Sequence, residues 1–209
     1  WEARDQFEVT RSDGSVARDR IETQHAAANE TVEAAAELLD RPAGPVVGED
    51  KPTLRAAIES AEAGTIVRLP PGTYQGPVEV NKSVTIVGDD ATIVGDDNGT
   101  VVTVTADDVA ISGVSITGVG ESLSRDDTGT EDERSDWDRQ TEEAYGYSDA
   151  AITADSVDRL LVTHIEVDTP ASGIVLRDVE RAVVDEVRIN GTDQWVDGFM
   201  GVVAIRSPA

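Results

Sequence analysis

A repeat with a period of 22 residues is the feature that most constrains how this chain can fold. The segment 151–167 recurs at 173–189 with its apolar residues at the same positions. The matched residues are Ile152 and Ile174, Val157 and Val179, Val162 and Val184, Ile165 and Val187, and Val167 and Ile189. A period this short, without helical spacing, indicates one rung of a parallel β-coil that buries its apolar side chains against the next rung. The predicted class is therefore all-β, a right-handed parallel β-helix, because crossovers between parallel strands are right-handed.

Two segments interrupt the repeat. The pattern that begins at Val162 also begins at Ile111, 51 residues earlier, which is 29 residues more than one rung. The excess predicts an acidic insertion at about 120–148. The glycines that open consecutive rungs, Gly173 and Gly201, are 28 residues apart, which places a shorter bulge before Gly201.

The beginning of the chain has a different pattern. Helical spacing of apolar residues predicts a helix over 19–39, and a second short helix over 53–61 follows Pro52. We expect residues 1–52 to form an N-terminal helical capping segment and residues 53–209 to form the β-helix. Gly201-Val-Val-Ala-Ile resembles the opening of another rung with no cap after it, so we expect the β-helix to be truncated at its C-terminus.

Charge limits the classes of partner. The chain carries 42 acidic and 17 basic residues, a formal net charge of −25, and Lys51 and Lys82 are its only lysines. Acidic residues spread over the whole chain favour a halophilic protein, because concentrated salt screens their mutual repulsion. The same charge repels nucleic acid, which is excluded as a partner.

The asparagines suggest a location. All four lie in Asn-x-Ser/Thr glycosylation acceptors, and they are Asn29, Asn81, Asn98 and Asn190. We therefore predict an extracytoplasmic protein, in the periplasm or at the cell surface. Since the sequence begins at Trp1, we expect that a signal peptide is not in the chain shown.

The acidic residues were considered for catalysis. A glycosidase needs two carboxylates on opposite sides of the scissile bond. The densest pairs, Asp89-Asp90 and Asp96-Asp97, lie in predicted Gly-Asp-Asp turns, where aspartate serves turn geometry. No catalytic residue is predicted, and the chain is not expected to be an enzyme.

Metal ligands are few. Copper or zinc would need His, Cys or Met, and the chain has no cysteine. His25 lies on the predicted first helix, which leaves His164 and Met200 as weak candidates and the metal site unknown. No firmly bound cofactor is expected.

The interruptions are better candidates for binding. The insertion and the bulge contain five aromatic residues, Trp137, Tyr145, Tyr147, Trp195 and Phe199. Aromatic side chains anchor protein interfaces by desolvation, so the sequence predicts that these residues bind a partner. The alternative, a solvated acidic loop, remains open.

Several motifs carry a family resemblance from about Thr53 onward. They are Thr53-Leu-Arg-Ala-Ala-Ile, Val67-Arg-Leu-Pro-Pro-Gly-Thr-Tyr, Val84-Thr-Ile-Val-Gly-Asp, the insertion ending in Tyr145-Gly-Tyr-Ser-Asp-Ala, and Asp197-Gly-Phe-Met-Gly. Together they resemble the NosD family, which are pectin-lyase-like β-helix accessory proteins of denitrification. The resemblance implies a periplasmic or extracellular protein that helps to mature the copper–sulfur centre of nitrous oxide reductase.

The resemblance also implies partners. These are the ATPase and membrane subunits of an ABC transporter, a copper chaperone and nitrous oxide reductase, and copper would enter through this wider assembly. The alternative functions are a β-helix polysaccharide lyase or hydrolase and a carbohydrate-binding surface protein.

Overall fold

The computed structural model describes residues 18–121, 148–191 and 201–207, with side chains from residue 26 onward. The described chain forms a parallel β-solenoid of about five turns with a short N-terminal helix. The helices are α1 (Arg18–Ala36), a single 3-10 turn (Glu37–Leu39) and α2 (Leu54–Ser60). The strands are β1 (Ala43–Val46), β2 (Thr65–Leu69), β3 (Gly72–Gln75), β4 (Val78–Val80), β5 (Val84–Val94), β6 (Val102–Val104), β7 (Val109–Thr117), β8 (Ala150–Asp155), β9 (Asp158–Asp168), β10 (Ser172–Arg177), β11 (Glu180–Asn190) and β12 (Val202–Ile205).

These strands form two parallel sheets. The first sheet has the order β1-β2-β5-β7-β9-β11, with β3 also paired to β5, and the second has the order β12-β10-β8-β6-β4. From β4 onward the chain alternates between the two sheets, so each of these rungs adds one strand to each sheet. The predicted parallel β-helix is confirmed.

The register of the strands explains the repeat. Ile152 lies opposite Ile174 in the second sheet, and Val162 lies opposite Val184 in the first. Ile152, Val162 and Ile174 are fully buried in one continuous core. The stacking of equivalent apolar residues 22 positions apart therefore produces the period seen in the sequence.

The register also holds across the two interruptions. Ile111 pairs with Val162 on the two sides of the insertion, and Ile174 pairs with Val202 on the two sides of the bulge. The rungs on either side therefore stack directly on each other. Residues 122–147 and 192–200, which hold most of the insertion and the bulge, lie outside the described residues.

The two helices occupy different places on the coil. Helix α2, whose N-cap Thr53 accepts a hydrogen bond from the Ala56 amide, buries Leu54, Ala57 and Ile58 in the main core. It contacts β1, β2 and β4, at the N-terminal edge of both sheets, and so covers the first rung. Helix α1 contacts β9 and β11, on the outer side of the first sheet.

A separate apolar cluster marks this outer side. Ala35 and Leu38 pack there on the outward-facing Ala110 and Leu161, apart from the main core. The buried hydroxyl of Thr85 donates to the Leu38 carbonyl and fixes the end of the helical segment. In the described chain, the second helix thus covers the first rung, and the first helix packs on the outer side of the first sheet.

One predicted turn is absent. The Gly88-Asp89-Asp90 segment lies inside the continuous strand β5. Val87 pairs with Ser112 and Ala91 pairs with Val114, so three residues of β5 face the single residue Gly113. The segment is a bulge, which bends a strand without ending its pairing.

Within the described residues, no helix is both long and apolar enough to cross a membrane.

Candidate functional site

A column of left-handed residues bends the first sheet at one corner of the coil. Asp90, Gly113, His164 and Glu186 have φ values of 49°, 71°, 54° and 49°. The strand register places them one above another on β5, β7, β9 and β11. A left-handed residue changes the direction of the strand, so the outward-facing side chains before and after it diverge.

A cleft of about 320 Å³ opens along this corner. Its polar side chains are Asp90, Ser115, His164, Glu166, Glu186 and Arg188. Ser115, Glu166 and Arg188 are register neighbours on successive rungs, two residues after the bend. Alternation along a strand turns them outward, while the intervening Val114 and Ile165 are buried in the core. We refer to this feature as the corner cleft.

Gly113 lines the cleft without a side chain. A Cβ atom built there would lie 2.5 Å from the Gly88 carbonyl oxygen, and the φ of 71° itself favours glycine. The missing side chain leaves a gap between Asp90 and His164 in the column. The bulge at 88–90 and Gly113 therefore shape the cleft together.

His164 is held by two neighbours. Its Nε2 atom contacts the Glu186 carboxylate, and its Nδ1 atom lies 2.9 Å from the Thr163 hydroxyl oxygen. Both ring nitrogens thus have partners within the protein. Among the described residues, no three His, Cys, Asp or Glu side chains are grouped so that they could hold a metal ion. Met200, the other weak metal candidate, lies outside the described residues, as does the side chain of His25.

Glu166 and Arg188 are adjacent opposite charges that do not form a pair. They lie directly opposite each other in the register of β9 and β11, and both are exposed. In the described part of the chain, neither side chain has an ion pair or a hydrogen bond with the other. Their carboxylate and guanidinium groups are therefore open to a ligand in the cleft.

Opposite charges on adjacent rungs are paired at another corner, where the chain passes from the second sheet to the first. Arg177 lies opposite Asp155, and its Nε donates to the Asp155 carboxylate at 2.9 Å. Arg181 donates to both carboxylate oxygens of Asp158, and Arg206 does so to Asp178. We call these three pairs the ion-pair ladder.

The ladder lowers the pKa values of its carboxyl groups. The hydrogen bond from Arg181 lowers the pKa of Asp158, and that from Arg206 lowers the pKa of Asp178. Burial by itself would raise the pKa of Asp155, but hydrogen bonds from Ser156 and Arg177 outweigh it, and the pKa is lowered. The charges of these pairs are therefore neutralised by partners within the protein.

The other predicted residues are dispersed. Of the acidic pairs considered for catalysis, only Asp90 lines the cleft, while Asp97, with a φ of 59°, lies in the link after β5. The four glycosylation candidates, Asn29, Asn81, Asn98 and Asn190, all have exposed side chains. The aromatic candidates Trp137, Tyr145, Tyr147, Trp195 and Phe199 lie outside the described residues.

Sequence reasoning missed most of the cleft. Ser115, Glu166 and Arg188 are on three different rungs, and no local motif joins them. The available signal was the repeat itself, which aligns Glu166 with Arg188 once the 22-residue register is applied.

Comparison of the chain with models of known protein families, with curated proteins and with solved structures gives no match. The NosD resemblance therefore rests on the sequence motifs.

Proposed function

We propose that this chain is a non-enzymatic accessory protein that acts as an extracytoplasmic docking scaffold. In this proposal it works with an ABC transporter, through its ATPase and membrane subunits, and with a copper chaperone. The assembly matures the copper–sulfur centre of nitrous oxide reductase. Copper belongs to the assembly as cargo, and this chain positions the proteins.

The observation that carries the proposal is the unbroken register on both sides of the insertion. Val102 pairs with Ile152, and Ile111 pairs with Val162, so both sheets continue across it. The described strands before and after residues 122–147 therefore pair directly with each other. A rigid body with a segment inserted between two stacked rungs is a common means of presenting a binding surface.

The composition of the additional segments supports the same proposal. Five of the eight aromatic residues of the chain belong to the insertion and the bulge. Concentrated salt weakens contacts between exposed charges but leaves the burial of apolar surface effective. In a protein of net charge −25, aromatic anchors are therefore better suited than ion pairs to hold a partner.

The motifs behind the resemblance differ in what they support. Thr53 caps α2, and the Tyr74 hydroxyl donates to the Pro70 carbonyl at 2.6 Å, so the earliest motifs have structural roles in the first rung. Such roles support the fold that the resemblance implies. The function that the resemblance implies depends instead on two other motifs, the insertion ending at Tyr145-Gly-Tyr and the Asp197-Gly-Phe-Met segment.

The test is a full chain with residues 122–146 replaced by a short Gly/Ser linker. We expect its thermal unfolding to match that of the parent, because the rungs stack without the segment. We expect it to lose capture of the transporter subunits in molar salt and to fail to restore nitrous oxide reduction in a strain that lacks the gene.

Matched variants separate aromatic anchoring from charge. The triple variant Trp137→Ala, Tyr145→Ala, Tyr147→Ala should lose capture, while Asp136→Asn combined with Asp138→Asn should retain it. A linker variant that folds and still captures the transporter subunits would contradict the proposal, and so would normal nitrous oxide reduction in the deletion strain.

A further inference from the structure

We propose that the corner cleft binds a neutral oligosaccharide. Its polar lining, among the described residues, comes from β5, β7, β9 and β11 of the coil. Three properties of the cleft favour this ligand: its length, its hydrogen-bonding groups and its charge.

The cleft is elongated along the coil axis. Its lining residues come from four successive strands of the first sheet, from Asp90 on β5 to Arg188 on β11. Neighbouring strands are about 4.8 Å apart, so three steps give a length of roughly 14 Å. A chain of several sugar rings lying along the axis would meet an outward-facing side chain on each rung.

The lining alternates between donors and acceptors of hydrogen bonds. Arg188 offers guanidinium N–H groups, Ser115 a hydroxyl, and Glu166 and Asp90 carboxylate oxygens. A sugar hydroxyl both donates and accepts, so neighbouring hydroxyls can bridge the Glu166 carboxylate and the Arg188 guanidinium. Hydrogen bonds to charged groups are the stronger ones, which compensates for the lack of an aromatic side chain in the lining.

The absence of a bond between Glu166 and Arg188 in the described structure also favours a ligand in the cleft. Asp155 and Arg177 have the same register relation and are bonded at 2.9 Å, whereas no bond joins Glu166 to Arg188 in the described structure. Arg188 and Glu166 thus present their hydrogen-bonding groups to the cleft.

Charge distinguishes among ligands of similar length. The net charge of −25 repels a polyanion such as an acidic polysaccharide. A polycation would be attracted in dilute buffer, but concentrated salt screens that attraction. A neutral ligand that binds through hydrogen bonds is the class least affected by the net charge of the protein and by the salt concentration.

The test uses the full chain in molar potassium chloride. The probes are the neutral tetrasaccharides cellotetraose, maltotetraose and mannotetraose, the acidic tetragalacturonate, and the polycation spermine. Ligand-observed NMR detects binding, and titration calorimetry measures the dissociation constant. We expect at least one neutral tetrasaccharide to bind and tetragalacturonate and spermine not to bind.

Variants locate the site. Arg188→Gln and Glu166→Gln should each weaken the neutral ligand about tenfold or more. Ser115→Tyr, which fills the cleft from an outward position, should abolish binding. The matched controls are Arg68→Gln, an exposed outward arginine on β2, and Glu79→Gln, an exposed glutamate on β4 in the other sheet, and both should bind like the parent.

Circular dichroism confirms that each variant is folded, and the two glutamine variants decide the test if Ser115→Tyr does not fold. Three results would overturn the proposal: no neutral tetrasaccharide binds, only tetragalacturonate or spermine binds, or binding of the neutral probe is unchanged in both Arg188→Gln and Glu166→Gln. Transporter capture by the parent is unaffected by any of these results, so this test and the docking test fail separately.

Discussion

The ion-pair ladder and the corner cleft are two corners of one coil that share a backbone conformation and differ in how their side chains are used. Both contain non-glycine residues with positive φ, such as Asp178 and Arg181 in the ladder and His164 and Glu186 in the cleft. At the ladder, each arginine bonds to a carboxylate on an adjacent rung. At the cleft, the register neighbours Glu166 and Arg188 remain apart.

The comparison shows that register alone does not decide whether opposite charges pair. Asp155 and Arg177 come at the ends of their strands, and the Arg177 side chain is only 14 % exposed. Glu166 and Arg188 are exposed and point outward from a bent part of the sheet. We infer that the ladder holds successive rungs together, whereas Glu166 and Arg188 in the cleft contribute little to stability and leave their charges available.

The largest loss of stability is expected from Gly113→Ala, which adds a side chain where the backbone of the cleft corner leaves no room for one. The new Cβ would lie 2.5 Å from the Gly88 carbonyl oxygen, and the residue would be held at a φ of 71°. We expect a loss of about 2–4 kcal/mol in the free energy of unfolding, from left-handed strain and steric overlap. Urea unfolding measures it. His164→Gly, in the same column, should cost less than about 1 kcal/mol because glycine relieves the left-handed conformation. Equal losses in the two variants would contradict this interpretation.

A smaller difference in unfolding free energy should separate variants of Arg177 in the ladder and Arg188 in the cleft. Arg177→Gln removes a charged hydrogen bond from a mostly buried side chain, and we expect a loss of about 1–2 kcal/mol. Arg188→Gln, at an exposed outward position on β11 of the first sheet, should stay within about 0.5 kcal/mol of the parent, as is usual for exposed sites. Chemical unfolding of both variants under the same salt conditions provides the comparison. A larger loss for Arg188→Gln would mean that the cleft, too, is a structural element.

The smallest effect concerns pH. The pKa of Asp158 is lowered in the folded protein, so its pair contributes stability above the unfolded carboxyl pKa of about 3.9 and loses it as pH falls through the folded pKa. Asp158→Asn should therefore lose less stability than the parent between about pH 5 and pH 2. Urea midpoints measured across that interval test this. Arg181→Gln should flatten the pH dependence in the same way, and a parent-like profile in both variants would show that the pair contributes nothing.

Much of the fold was predictable because the coil repeats. Ile152 and Ile174 are paired in the structure as the 22-residue period predicts, and Ile111 pairs with Val162 although 51 residues separate them. Local patterns were less reliable. Gly88-Asp89-Asp90 has the composition of a turn, but pairing with β7 on both sides keeps it within a strand as a bulge.

The candidate site was predictable only in part. His164 was noted from its side-chain chemistry alone, and the structure adds its partners Glu186 and Thr163. Ser115 and Arg188 attract no attention in the sequence, because an outward polar residue on a strand is ordinary. Their proximity is created by stacking three rungs, and the gap beside them depends on Gly113, which faces the bulge of β5.

The measurement that tests the central comparison most directly is a pair of double-mutant cycles, one for Asp155 with Arg177 and one for Glu166 with Arg188. Each cycle uses single and double substitutions to alanine and the free energy of unfolding in the same salt. We predict a coupling energy of about 1 kcal/mol for the ladder pair and close to zero for the cleft pair. Equal coupling energies, or a stronger one between Glu166 and Arg188, would contradict the assignment of one corner to stability and the other to binding.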